Sequence, residues 1–256
     1  MLKKLESALK SPKGSLLVLA LKAIIWGFLL TFVNRHWLFI IAFLLVSFYF
    51  YLRKPFNASR LLASSLILIF TSLLIMRTAG GLPGLSLQSS SWLSIIIAFF
   101  FSLLYFLLLG IKNLVFIHRQ SLYRLLNGLL FSGILILFLG APKSGGYFAL
   151  SYLLIGAASF LLLREYLAFD FESAMGKKNL LALVFSFLTL QFLWVVSLLP
   201  IGFLNAAAFS LLIILILEDL AVHNWLGALS RQLILRNASI FLILSIIIFA
   251  LSKWSP

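Results

Sequence analysis

Apolar stretches that carry almost no charge recur along this chain, and their length is the feature that most restricts its fold. There are nine of them, each about 16 to 20 residues long, bounded by charges, prolines, glycines and polar clusters. About 20 apolar residues in a helix cross the hydrocarbon core of a bilayer, and a helix satisfies its own backbone hydrogen bonds there. Each stretch therefore predicts an α-helical span. The predicted spans are residues 14–33, 37–52, 61–76, 92–111, 125–141, 147–163, 180–199, 201–217 and 237–253.

The composition agrees with an all-α, polytopic transmembrane bundle in which residues 1–256 form a single integral membrane domain. Hydrophobic residues make up 63% of the chain and charged residues 10%, whereas a soluble domain has about half and about a quarter. No polar stretch is long enough for a separate catalytic ectodomain. The chain has no cysteine, which excludes disulfides, thiolate nucleophiles and cysteine-bound metal. We expect no cofactor.

Two regions leave a structural choice open. Residues 180–217 carry no charge, and Pro200-Ile201-Gly202 is the only punctuation there. A proline ends a helix and a glycine lets the backbone turn, so we predict two spans joined by a tight hairpin, with one long kinked segment as the alternative.

Lys22 interrupts the first span. Its long stem can carry the ammonium group back to the headgroups, which we favour over a functional role inside the membrane.

The basic residues predict the orientation. Threading the spans alternately places fifteen of the twenty Lys and Arg residues on one side and four on the other, with Lys22 inside a span. The basic side faces the cytoplasm, so we predict a cytoplasmic N-terminus and a C-terminus outside, in the cell membrane of a bacterium or archaeon.

A basic inner face favours anionic lipids as partners. The bases are scattered over short loops and form no nucleic-acid groove; other membrane proteins are the remaining class of partner.

The acidic residues supply the candidates for chemistry. All six fall on the predicted inner side, and Asp219 and His223 are four residues apart, so a helix would place them on one face. Together with Glu218, they are candidates to share a divalent metal or to form a base and its orienting partner. A metal needs a further ligand, for which Glu165, Asp170 or Glu172 is available. The alternative is a solvated helix in which Asp219 and His223 are weakly hydrogen-bonded.

The two inner links that carry these acids are long enough to form helices lying on the membrane surface. Residues 164–178 alternate acidic and aromatic side chains, and residues 218–236 have carboxylates at the start and arginines at the end. Both patterns predict amphipathic interfacial helices.

Three polar side chains are predicted within the spans: Lys22, Gln191 and Asn205. A transporter would use such groups to contact its substrate. Hydrogen bonds between neighbouring helices are the commoner use, and we expect that role for Gln191 and Asn205.

These patterns predict a non-enzymatic integral membrane protein that scaffolds or assembles partners, because ionisable groups are almost absent from the spans. The first alternative is a transporter or flippase for a small molecule or lipid. The second is a membrane-embedded enzyme acting on a lipid headgroup at the cytoplasmic interface through Glu218, Asp219 and His223, with Glu165 or Asp170 as further candidates.

Overall fold

The architecture is entirely helical in the part of the chain that the computed structural model describes, which is residues 12–52, 61–78, 91–113, 115, 116, 118–140, 147–170, 175–225 and 227–252. These residues form nine α-helices and no strand. The helices are α1 Pro12–Phe32, α2 Trp37–Leu52, α3 Leu62–Thr78, α4 Ser91–Lys112, α5 Arg119–Gly140, α6 Tyr147–Asp170, α7 Met175–Ser197, α8 Phe203–Trp225 and α9 Arg231–Leu251.

Each helix overlaps one of the predicted apolar stretches. Five segments are long and apolar enough to cross a membrane, and they lie in α4, α5, α7, α8 and α9. Three shorter apolar helices lie in the first part of the chain: Leu16–Phe32, Trp37–Leu52 and Leu62–Thr78. Sixteen residues of helix, as in α2, extend about 24 Å, so a helix of this length needs flanking residues or local thinning of the bilayer to span it.

The region between residues 180 and 217 is divided, as the proline and glycine predict. Helix α7 ends at Ser197 and α8 begins at Phe203. The link closes through a hydrogen bond from the Ile201 amide to the Leu199 carbonyl, 2.8 Å. Pro200 has no amide hydrogen to continue the helix, so the alternative of one long kinked segment is wrong.

The chain divides into two compact units, Met1–Leu130 and Phe131–Pro256. In the first unit, α1 packs against α4, α2 and α3, and α3 also packs against α4. A glycine allows α1 and α4 to approach closely: a Cβ at Gly27 would lie 2.7 Å from the Cβ of Ser102. The Ser102 hydroxyl donates to the Ala23 carbonyl across the same contact, 2.7 Å. Small residues thus bring α1 and α4 together.

In the second unit, α6 packs against α7, α7 against α8, and α8 against α9. The Ser186 hydroxyl of α7 donates to the Gly156 carbonyl of α6, 2.8 Å, and the Tyr152 hydroxyl donates to the Leu190 carbonyl. Helix α9 is the most exposed of the described helices. Asn237 is the one residue of α9 that is buried.

The predicted interfacial helices are wrong. Residues 164–170 are instead the last turns of α6, and residues 175–178 are the first turn of α7. Residues 218–225 extend α8, and residues 231–236 begin α9. Helices longer than the apolar stretches thus take up polar residues that sequence reasoning assigned to separate helices on the membrane surface.

Candidate functional site

The predicted acidic site lies on the extension of α8 beyond its apolar stretch. The Asp219 and His223 side chains lie on one face, as their spacing predicts. His223 Nδ1 is 3.4 Å from Asp219 Oδ1 and 2.8 Å from the Asp219 backbone oxygen. Both side chains are partly exposed, at 32% for Asp219 and 28% for His223.

The shorter of these contacts assigns the imidazole tautomer. A carbonyl oxygen only accepts hydrogen bonds, so Nδ1 of His223 donates to the Asp219 carbonyl. In the neutral ring, Nε2 is then the acceptor nitrogen. The helix backbone therefore orients the imidazole.

Helix α9 contributes two further groups to the same carboxylate. The Asn237 amide nitrogen donates to Asp219 Oδ2 at 2.8 Å, and Arg236 Nη2 lies 3.5 Å from that oxygen. Asn237 is 6% exposed, whereas the Arg236 side chain is 61% exposed. The buried, shorter bond is the stronger of the two, because an exposed ion pair is screened by water and contributes little.

A short turn between α8 and α9 makes this contact possible. Gly227 has φ +64°, a left-handed conformation that glycine adopts without the penalty of a side chain. The Ala228 amide donates to the His223 carbonyl, 3.0 Å, and the Ser230 hydroxyl caps α9 by accepting from the Leu233 amide, 3.2 Å. Asp219, His223, Arg236 and Asn237, here called the α8–α9 clasp, join the two helices at this turn.

The other predicted acidic residues are placed differently. Glu165 on α6 and Glu218 on α8 are buried, at 8% and 6% exposure, and each interacts with other groups of the chain. Asp170 is the last residue of α6, and its side chain lies outside the described residues. Within the described ranges, no group of three or more His, Asp and Glu side chains is placed to hold a metal ion.

The polar residues predicted within the spans do not converge on one site. The Lys22 ammonium lies 5.5 Å from the centre of the Phe50 ring, near the last turn of α2. Gln191 is exposed on α7, and Asn205 is half-buried in the first turn of α8. Neither amide has a hydrogen-bond partner in the described part of the chain, so the predicted bonds between helices of one chain are absent there.

Sequence reasoning missed a buried polar network in the first unit. The Trp26 indole N–H donates to the Ser47 hydroxyl, 2.7 Å, which in turn donates to the Phe43 carbonyl, 2.6 Å. The Tyr105 hydroxyl donates to the Ser47 carbonyl, 3.1 Å, and its ring stacks on Trp26 with centroids 4.6 Å apart. The network joins α1, α2 and α4. Trp26 lies in the middle of its apolar stretch, away from both ends. A buried indole N–H there needs a hydrogen-bond acceptor, so this position in the sequence is the signal for the network.

A lysine lies at one end of the same three-helix contact. Lys112, the last residue of α4, donates to the Tyr51 carbonyl in the last turn of α2. Its ammonium also lies 3.7 Å from the centre of the Tyr51 ring. The C-terminal carbonyls of a helix carry partial negative charge, so this cation stabilises the end of α2.

No protein family model matches this chain, and the curated protein sequences and the solved structures likewise give no significant match.

Proposed function

We propose that this chain is a non-enzymatic, multi-pass protein of the cell membrane that scaffolds or assembles other membrane proteins. The α8–α9 clasp carries the proposal. Asp219, the acid best placed for chemistry, binds Asn237 at 2.8 Å through one oxygen and lies beside His223 through the other. Its carboxylate is committed to holding α9, which supports a structural role over catalysis.

Helix α9 is the proposed partner-binding surface. Only 6% of its apolar stretch is buried within the chain, against 33% to 56% for the other four long apolar segments. The clasp, the Gly227 turn and the Ser230 cap fix its inner end. A rigidly presented apolar helix loses little freedom when a second helix packs on it.

Charge at the inner end of α9 defines the partner. Arg231 and Arg236 are exposed there, and electrostatic complementarity selects a partner with the opposite charge at that level. The proposed partner is a protein with an apolar transmembrane helix flanked by acidic residues on its cytoplasmic side.

Photocrosslinking in the native membrane tests this assignment. A photoreactive residue replaces Ile243 or Ile247, which are exposed on α9, and Ile214, which is buried in α8, is the matched control. We expect one protein adduct from the two α9 positions and none from Ile214. Adduct yield falls in an Arg231→Glu variant, which leaves the clasp intact, and recovers when the acidic residues of the captured protein are changed to lysine. Adducts with lipid alone, or with a second copy alone, would refute the scaffold role.

We further propose nine passes, with the N-terminus in the cytoplasm and the C-terminus outside. Nine described helices overlapping nine apolar stretches support the count, and the excess of basic residues on one side supports the direction. That inner face then favours anionic lipids.

Cysteine labelling tests the orientation, because the chain contains no cysteine of its own. Gly202 lies in the link between α7 and α8 with no atom within 4 Å of an added Cβ, and Ala228 is exposed in the link between α8 and α9. A membrane-impermeant maleimide should label Gly202→Cys in intact cells and Ala228→Cys only after permeabilisation. The opposite pattern contradicts the orientation.

A further inference from the structure

Helix α7 has two seams of side chains, and both follow alternating spacings of four and three residues. The inward seam packs within the second unit and is buried. It consists of Ala182, Ser186, Thr189, Leu193 and Val196. The outward seam is exposed. It consists of Leu180, Val184, Phe187, Gln191 and Trp194, and Leu198 continues the spacing one residue past the end of the helix. A 3.5-residue repeat is the spacing with which one helix packs against another in a left-handed pair.

Gln191 is the polar member of the outward seam. It lies six residues before the end of α7, about 9 Å along the helix, and has no hydrogen-bond partner in the described part of the chain. In the nine described helices, no other exposed amide or charged side chain lies at least six residues from both ends of its helix. An amide left without partners in hydrocarbon is strongly unfavourable.

We propose that a second copy of this chain packs on the outward seam and that the two Gln191 amides hydrogen-bond to each other. Copies inserted in the same direction place Gln191 at the same depth, so a two-fold axis along the membrane normal brings the two amides together. An amide both donates and accepts, which makes the pair self-complementary. A different membrane protein would need a polar group at this depth, which a second copy supplies by symmetry.

A single polar residue in an apolar seam also fixes the register of the helix pair. Pairing of the two amides sets Phe187 opposite its counterpart and turns Phe192 away, since Phe192 is rotated by about 100° from Gln191. Both phenylalanines are exposed, at 58% and 40%. They therefore form a matched pair for a crosslinking experiment.

Disulfide crosslinking of Phe187→Cys and Phe192→Cys in vesicles of phosphatidylcholine and phosphatidylglycerol tests the seam. We expect a crosslinked dimer from Phe187→Cys and little from Phe192→Cys. Equal crosslinking at both positions, or none at either, would overturn the proposal. The test does not depend on the scaffold role, because α9 takes no part in it.

A second measurement isolates the amide. Association of fluorescently labelled copies in the same vesicles should weaken by about threefold to eighteenfold per hydrogen bond lost in Gln191→Leu. Gln191→Asn retains an amide and should keep most of the affinity. Asn205→Leu, which removes the half-buried amide of α8, is the control and should leave association unchanged. A Gln191→Leu variant that associates as tightly as the wild type refutes the pairing, whatever the crosslinking shows.

Discussion

Replacing Asn237 with leucine should loosen α9 from α8. Asn237 is 6% exposed, and its bond to Asp219 is 2.8 Å long. A hydrogen bond to a charged group contributes about 1.5 to 3 kcal/mol in soluble proteins, whereas bonds between membrane helices average about 0.6 kcal/mol. Asp219 is 32% exposed and retains His223 beside it, so water replaces part of what is lost. We therefore expect a loss of about 1 to 1.4 kcal/mol, which is about a five- to tenfold increase in local opening.

Hydrogen–deuterium exchange in lipid nanodiscs measures this opening, because amides exchange when the helix separates locally. Peptides covering residues 231–240 should exchange about five to ten times faster in Asn237→Leu. Arg236→Gln is the matched control, since Arg236 reaches the same Asp219 oxygen from an exposed position at 3.5 Å. Exposed ion pairs contribute about 0.2 to 1 kcal/mol. For a 3.5 Å pair with an arginine that is 61% exposed, we take the lower half of that range, about 0.4 kcal/mol or less, which is at most about a twofold change. Faster exchange in Arg236→Gln than in Asn237→Leu would refute the assignment of the stronger bond.

Two further predictions concern the first unit. Gly27→Ala should destabilise it by about 1 to 3 kcal/mol, because the added methyl would meet the Cβ of Ser102 at 2.7 Å. Thermal unfolding in detergent measures this loss. Gly202→Ala is the control and should show no such loss, because no atom lies within 4 Å of an added Cβ there. Ser47→Ala should cost about 1 to 3 kcal/mol by leaving the buried Trp26 indole N–H without its acceptor. Adding Trp26→Phe to that variant should cost less than Trp26→Phe does alone, and strictly additive losses would contradict the coupling.

The positions of the helices could be predicted from the sequence because an apolar stretch has to satisfy its backbone within itself. Helix α2 begins and ends at the predicted residues, Trp37 and Leu52. The break before α8 could be predicted as well, since Pro200 lacks the amide that a continuing helix requires. Both inferences rest on local chemistry that does not depend on neighbouring helices.

The turn after α8 could not be predicted in the same way. Residues 218–236 contain no proline, and their charges are spaced as on one amphipathic helix. The break falls at Gly227, whose left-handed conformation is one that glycine permits but does not require. Asn237, ten residues later, favours the return of the chain because it reaches Asp219. That contact exists only in the folded chain, so no local pattern reveals it.

Which helices pack against each other could not be predicted from local sequence patterns either. Lipid tails are as apolar as leucine, so apolar faces alone give little preference for one neighbouring helix over another. The preference comes from sparse groups: the close approach at Gly27, the indole bond of Trp26 and the amide bond of Asn237. Each has its partner within the chain. Gln191 is the same kind of group, but it is exposed and has no partner in the described residues. Because a polar side chain in an apolar helix favours a polar partner, Gln191 favours contact with the same amide in a second copy.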